Sequence, residues 1–161
     1  MTVTSIERDD AAAQLRVRSG FAATVERLWE VWSDPRQLER WWGPSTHPAT
    51  VVEHDLAAGG RVTYYLTGPD GTRYHGWWRI VSVEAPTALE FEDGPADDDG
   101  VPIESAAPTR SAVRIEAAEP GTVAMTLTTT FPTPEVLGEA LAAGAADGMA
   151  RALDQIDGVL G

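Results

Sequence analysis

Apolar and polar residues alternate over much of this chain, and the points where the alternation stops mark its other elements. Gln14-Leu15-Arg16-Val17-Arg18 sends every second side chain to one face, the period of a strand with one wet side. The period then changes. Val25, Leu28, Trp29 and Trp32 recur at i, i+3, i+4 and i+7, which predicts a short amphipathic helix capped by Thr24. Asp34-Pro35 supplies a capping acid and a first-turn proline for a second short helix, carrying Leu38, Trp41 and Trp42 and stopped by Gly43-Pro44. From Ala49 the two-residue period returns. Residues 50–56, 61–66 and 73–83, punctuated by Gly59-Gly60 and Gly68-Pro69-Asp70-Gly71, read as consecutive antiparallel hairpins. Residues 87–92, 111–117 and 122–131 continue the pattern, for a total of about seven strands. Between them, residues 93–109 hold Asp97-Asp98-Asp99 and three prolines, and read as a long acidic loop.

The last segment, residues 134–160, predicts a single long helix begun by Thr133 and Pro134. Its apolar stripe runs through Leu137, Leu141, Met149, Leu153, Ile156 and Leu160. Gly and Ala crowd the stretch from Gly138 to Gly148, although each interior glycine costs about 1 kcal/mol relative to alanine. Close packing of helix on sheet is the preferred explanation, with a ligand-filled void as the alternative. Residues 1–13 are polar and are expected to form a flexible tail, leaving residues 14–161 as one domain.

Composition narrows the chemistry. The 161 residues contain no cysteine, which removes disulfides, thiol nucleophiles and Cys-based zinc sites and favours a reducing compartment. A formal charge of -13 argues against nucleic acid or an anionic membrane surface as partner, since both are recognised by clustered positive charge. Every basic residue is arginine, so Schiff-base chemistry and a P-loop lack their lysine. The absence of Lys and Asn beside abundant Ala, Gly, Pro and Arg fits a GC-rich bacterial genome. No signal peptide or apolar span is legible, so membrane insertion is not expected and a cytoplasmic location is.

Several local motifs carry a resemblance. They are Trp41-Trp42-Gly43-Pro44, Asp55-Leu56-Ala57-Ala58-Gly59-Gly60, Gly76 in the central strand, Pro86-Thr87-Ala88-Leu89-Glu90-Phe91, and Gly148-Met149 with Leu153-Asp154. With the element order, these resemble the AHSA-type domains of the START-like (SRPBCC) superfamily, named after an activator of a heat-shock-protein ATPase. The resemblance implies an α+β helix-grip fold like that of the birch-pollen allergen: a curved antiparallel sheet around the terminal helix, two short helices after strand one, and a cavity between. Two positions depart from the family pattern: Ala57-Ala58 replaces a frequent Arg-Pro, and Met149 replaces a frequent Trp. The first removes a charge at the hairpin and the second softens the helix contact.

The candidate residues follow from strand parity and residue type. His47, His54 and His75 are the available imidazoles, and their spacing matches no local metal motif. Parity groups Val52, His54 and Leu56, so His54 faces inward, whereas His75 shares the outer face with Arg73, Trp77 and Arg79. The aspartate run lacks the spaced ligands of a calcium loop. Inward aromatics with a few polar tips suit an apolar-ligand pocket, for which the expected lining is Tyr64, Tyr74, Trp78, Phe91, Met125, Leu127, Leu141, Ala145 and Met149. No metal, cofactor, Gly-x-Ser-x-Gly elbow or dinucleotide fingerprint is implied.

Three readings follow. In the first, a small, largely apolar molecule occupies the cavity and the protein is a carrier or sensor. In the second, the protein resembles the cyclases and dehydratases of the superfamily and moves protons on a polyketide-like substrate with His54, Tyr64 or Tyr74. In the third, ranked last, it is a chaperone-ATPase-activating interaction module. Exposed strand edges can also pair two copies into a homodimer, and the pattern leaves monomer and dimer open.

Overall fold

The computed structural model describes residues 2–161. Eight strands form one antiparallel sheet in the order β1-β2-β8-β7-β6-β5-β4-β3. They are β1 (Val3–Asp9), β2 (Gln14–Phe21), β3 (Ala49–His54), β4 (Arg61–Thr67), β5 (Arg73–Glu84), β6 (Ala88–Pro95), β7 (Thr109–Ala117) and β8 (Val123–Thr130). Helices α1 (Val25–Ser33) and α2 (Pro35–Leu38) follow β2, and α3 (Pro134–Ala142), α4 (Ala145–Asp154) and α5 (Ile156–Leu160) close the chain. The sheet and its terminal helices have the helix-grip arrangement. The expected count of seven strands is corrected to eight.

The additional strand is β1, inside the stretch expected to be a tail. Val3–Asp9 pair with β2, opposite residues as far apart as Gln14 and Ser19, and the hydroxyl of the buried Thr2 donates to the Asp157 carboxylate. One edge of β1 is unpaired and most of its side chains are wet, so its sequence lacks the apolar alternation of a core strand.

The start signals act as their chemistry requires. Thr24 accepts from the Arg27 amide at 3.1 Å, Asp34 from the Arg36 amide at 2.9 Å, and Thr133 from the Val136 amide at 3.1 Å. Helix α1 buries Leu28, Trp29, Val31 and Trp32. The C-terminal helix, expected to be continuous, is instead three segments. It breaks at Gly144, whose φ of 92° no alanine adopts comfortably, and again at Gln155. Gln155 is tied elsewhere, donating from its amide to the Trp41 carbonyl at 3.1 Å and the Gly43 carbonyl at 2.8 Å.

Close packing does not explain the helix glycines. A Cβ at Gly138 or Gly148 would meet no heavy atom within 4 Å. Gly148→Ala should therefore raise stability by about 0.5–1 kcal/mol, whereas Gly144→Ala should lower it by about 1 kcal/mol or more. Guanidinium unfolding midpoints of the two variants test this, and a destabilised Gly148→Ala would show that position to be packed after all.

Candidate functional site

The inner face of the sheet is paved with rings. Trp32, Trp41, Trp78 and Phe91 are fully buried, and Trp42 and Tyr64 pack against them while keeping some exposed surface. Trp78 stacks on Phe91 at 4.1 Å between centroids, Trp42 meets Trp78 edge-on at 4.8 Å, and Tyr64 stands 6.1 Å from Trp42 and 6.4 Å from Trp78. Such edge and offset contacts are the favoured aromatic geometries. The Trp41 indole N–H donates to the Val31 carbonyl at 2.9 Å and that of Trp32 to the Met125 sulfur at 3.3 Å. That of Trp78 has no partner, although the residue is fully buried.

Polar groups gather beside these rings. Register places Trp78 opposite Asp93 and Asp93 opposite Thr109, all on the inner face, since Leu89 and Phe91 share the Asp93 parity and are buried. The Thr109 hydroxyl donates to the Asp93 carboxylate. Asp93 retains some accessible surface, yet burial of its carboxyl outweighs that hydrogen bond and pushes its pKa up to about 6. Tyr64 is pushed up to about 12, first by burial and then by the negative charge of Asp93, against the opposing effect of the Trp42 and Trp78 indoles. A phenol held neutral so firmly donates a hydrogen bond and does not serve as a base at neutral pH.

Tyr64 occupies a slot made by Gly76, its partner across β4 and β5. A Cβ on Gly76 would lie 2.5 Å from the tyrosine Cζ and closer still to its hydroxyl. Here the glycine is required by close approach.

The structure brings Tyr64, Trp78 and Phe91 together. Met125 and Leu127 are buried in the same core. Leu141 and Met149 pack against that core from α3 and α4 but stay partly exposed, and Ala145, the first residue of α4, is partly exposed too. Tyr74 stands apart: it is half-exposed, and its ring lies beside His47 at 5.8 Å. His54 faces inward at the sheet edge, where its Nε2 lies 3.0 Å from the Trp32 carbonyl and ties β3 to α1. Its expected neighbour in parity, Val52, is exposed instead, because a bulge between Val51 and Glu53 resets the alternation. His75 packs on Tyr65.

Asp93 and Trp42 were absent from the expected lining. The composition of residues 93–109 puts Asp93 in the acidic loop, but β6 continues to Pro95, and the alternation Leu89, Phe91, Asp93 is the signal that places it inside. In the loop, the Asp97 carboxylate accepts from the Asp99 and Val101 amides, each at 2.9 Å, which makes it a turn former. Among the described residues no group of three or more His, Asp or Glu side chains is placed to hold a metal. None of their helices is long and apolar enough to cross a membrane.

Sheet order, grip geometry and the inward aromatic face together define a helix-grip domain of the START-like class. More narrowly, residues 22–161 match the sequence model described as Activator of Hsp90 ATPase homolog 1-like protein, and the chain belongs to that family. It is similar to protein Ms6760 from Mycobacterium smegmatis, with 41% identity, a TM-score of 0.88, and 99% of this chain and 97% of that one covered. It is similar also to a protein from Arthrobacter aurescens, with 44% identity, a TM-score of 0.92, and coverages of 99% and 92%. A protein from Staphylococcus epidermidis, 23% identical with a TM-score of 0.87 and coverages of 98% and 93%, shares the fold. No curated protein matches the sequence.

Proposed function

We propose that this domain binds a small, largely apolar molecule between the inner face of the sheet and the C-terminal helices, and acts as a cytoplasmic carrier or sensor. One observation carries the reading. Trp42, Tyr64, Phe131, Leu141, Ala146 and Met149 all pack against the core, yet each keeps accessible surface. Apolar surface left accessible at the margin of the core is what a ligand would cover, at roughly 25 cal/mol per Å² removed from water. The backbone geometry supports the same place. Helix α4 comes closest to β1 and β2, and α2 to β3, so the inner face of β4–β6 is covered by side chains such as Trp42 rather than by a helix backbone. The family affiliation agrees, since SRPBCC domains bind small hydrophobic ligands.

Native mass spectrometry of protein purified gently from its own host tests this reading. A stoichiometric small molecule released on denaturation is the expected result. Protein that is free of ligand, and that also fails to bind any apolar probe up to its solubility, would overturn the reading.

A second, enzymatic reading is favoured by a carboxyl near pKa 6, which can exchange protons near neutral pH, beside a neutral phenol able to donate a hydrogen bond. It differs in requiring product formation that is lost with the Asp93 or Tyr64 side chain.

A further inference from the structure

Arginines in a chain with so many carboxylates find partners easily, and most of the twelve here do. Eight of them form ion pairs with Asp or Glu. Arg40 donates to the Gly158 carbonyl at 3.4 Å, and the Arg73 guanidinium lies over the Tyr65 ring at 4.4 Å. The remaining two, Arg16 and Arg114, have no carboxylate, hydrogen-bond or ring partner for their side chains among the described residues. Both line the same open cleft, of about 640 Å³, on the outer face of the sheet.

Strand register brings them there. Arg16 and Arg18 alternate with the buried Leu15 and Val17, Thr126 and Thr128 with Met125 and Leu127, and Arg114 with Val113 and Ile115, so these side chains point away from the core. Thr126 pairs with Arg18 on one side and Arg114 on the other, and Thr128 pairs with Arg16 and with Ala112. Adjacent strands lie about 5 Å apart, so Arg18 and Arg114 leave the sheet about 10 Å from each other, with Thr126 between them. Arg18 touches Glu7 through Nη1 alone, at 3.5 Å between two half-exposed side chains, which leaves most of its N–H donors free. Ala112 and Ala124, on the floor beside the threonines, are too short to fill the space.

Donors therefore border the cleft on three sides: Arg16 and Arg18 from β2, Arg114 from β7, and the threonine hydroxyls from below. A carboxylate presents two oxygens in one plane, whereas phosphate oxygens point outward in tetrahedral directions and meet donors on all three sides. We propose that this cleft binds the phosphate group of a small, soluble, hydroxyl-bearing molecule, with Arg16, Arg18 and Arg114 around the phosphate. The far border is formed by Glu84, Glu90 and Glu116, which accept from hydroxyl groups on the rest of the molecule and repel a longer polyanion. The formal charge of -13 opposes an extended anionic surface, but salt screens distant charges beyond about 8–10 Å, while the arginines act at contact. This cleft lies across the sheet from the apolar face, and its assignment does not depend on the reading given for that face.

Isothermal titration at pH 7.5 with glucose 6-phosphate, glucuronate and glucose tests the proposal, because the three differ at one carbon. Glucose 6-phosphate should bind at least about tenfold more tightly than glucuronate, and glucose should show no saturation. The affinity should fall as salt is raised. Replacing both unpartnered arginines, Arg16→Ala with Arg114→Ala, should weaken glucose 6-phosphate binding by about tenfold or more while leaving the melting temperature in place, since neither side chain holds another group. Equal affinities for the phosphate and the carboxylate would overturn the phosphate assignment. No saturation by glucose 6-phosphate or inorganic phosphate up to about 10 mM would overturn the site, as would undiminished binding by the folded double variant. Vesicles containing phosphatidic acid should leave the protein in the supernatant, and sedimentation with them would place the phosphate on a lipid and overturn the assignment to a soluble molecule.

Discussion

Asp93→Asn is expected to raise the stability of the folded chain by about 1–2 kcal/mol at pH 7.5 and to change it little at pH 4.5. The folded pKa of Asp93 lies near 6, above the ordinary carboxylate value, so the folded state holds its proton more tightly than the unfolded chain does. Stability contributed by this group is full below the unfolded pKa and is lost as pH rises through the folded one. At pH 7.5 the native protein bears a poorly solvated charge that the amide of Asn avoids, and the Asn carbonyl still accepts from Thr109. Unfolding in guanidinium at the two pH values measures the difference. A variant destabilised equally at both would mean that the ionised carboxylate is well satisfied in the folded protein. Stabilisation on removing a charge is the signature of a residue kept for a purpose other than folding.

Gly76→Ala is expected to cost about 2–3 kcal/mol, a large effect for one methyl group in a strand. The backbone at Gly76 has no positive φ, so nothing in its conformation demands glycine. The tyrosine ring does. Alanine there would drive the Tyr64 hydroxyl end out of its slot and away from Trp78, disturbing both the packing and the polar cluster. In a Tyr64→Ala background the obstacle is gone, and alanine at position 76 becomes neutral or mildly favourable because it is stiffer than glycine in the unfolded chain. A double-mutant cycle should give a coupling of about 2 kcal/mol or more, whereas additive effects would place the tyrosine ring elsewhere.

Strand periodicity made most of the sheet legible, because β2 and β6 to β8 bury alternate residues and their sequence repeats with the pleat. What escaped is explained by particular residues. Val3–Asp9 form a wet edge strand that needs few apolar side chains, so β1 resembles a tail. The helix break rests on a single positive φ at Gly144, and glycine sits as readily in the open, unbroken turn at Gly148. Tyr74 shares the parity of Trp78 but lies toward the other end of β5, where it is half-exposed. Parity assigns a face; it does not say how far the cover extends. Asp93 was hidden by composition, since an acid beside glycine and proline looks like a turn. Its meaning emerges only when Trp78 and Thr109 are seen on either side of it. Of the candidate site, the aromatic part could be read from residue type, while the polar part depends on long-range register.

That register also governs how the domain must assemble. The strands from β3 to β8 are joined to their neighbours by successive local connections, but β2 pairs with β8, and Ser19 reaches the Met125 carbonyl across 106 positions of chain. Closing so long a loop costs entropy before any contact repays it, so this seam sets a high contact order and a slow folding rate for a chain of this size. Local hairpins can pair early, with their aromatic faces still hydrated. Docking of β2 on β8 then completes the eight-stranded sheet. The seam that completes the sheet is thus also the one that brings the two ends of the chain together.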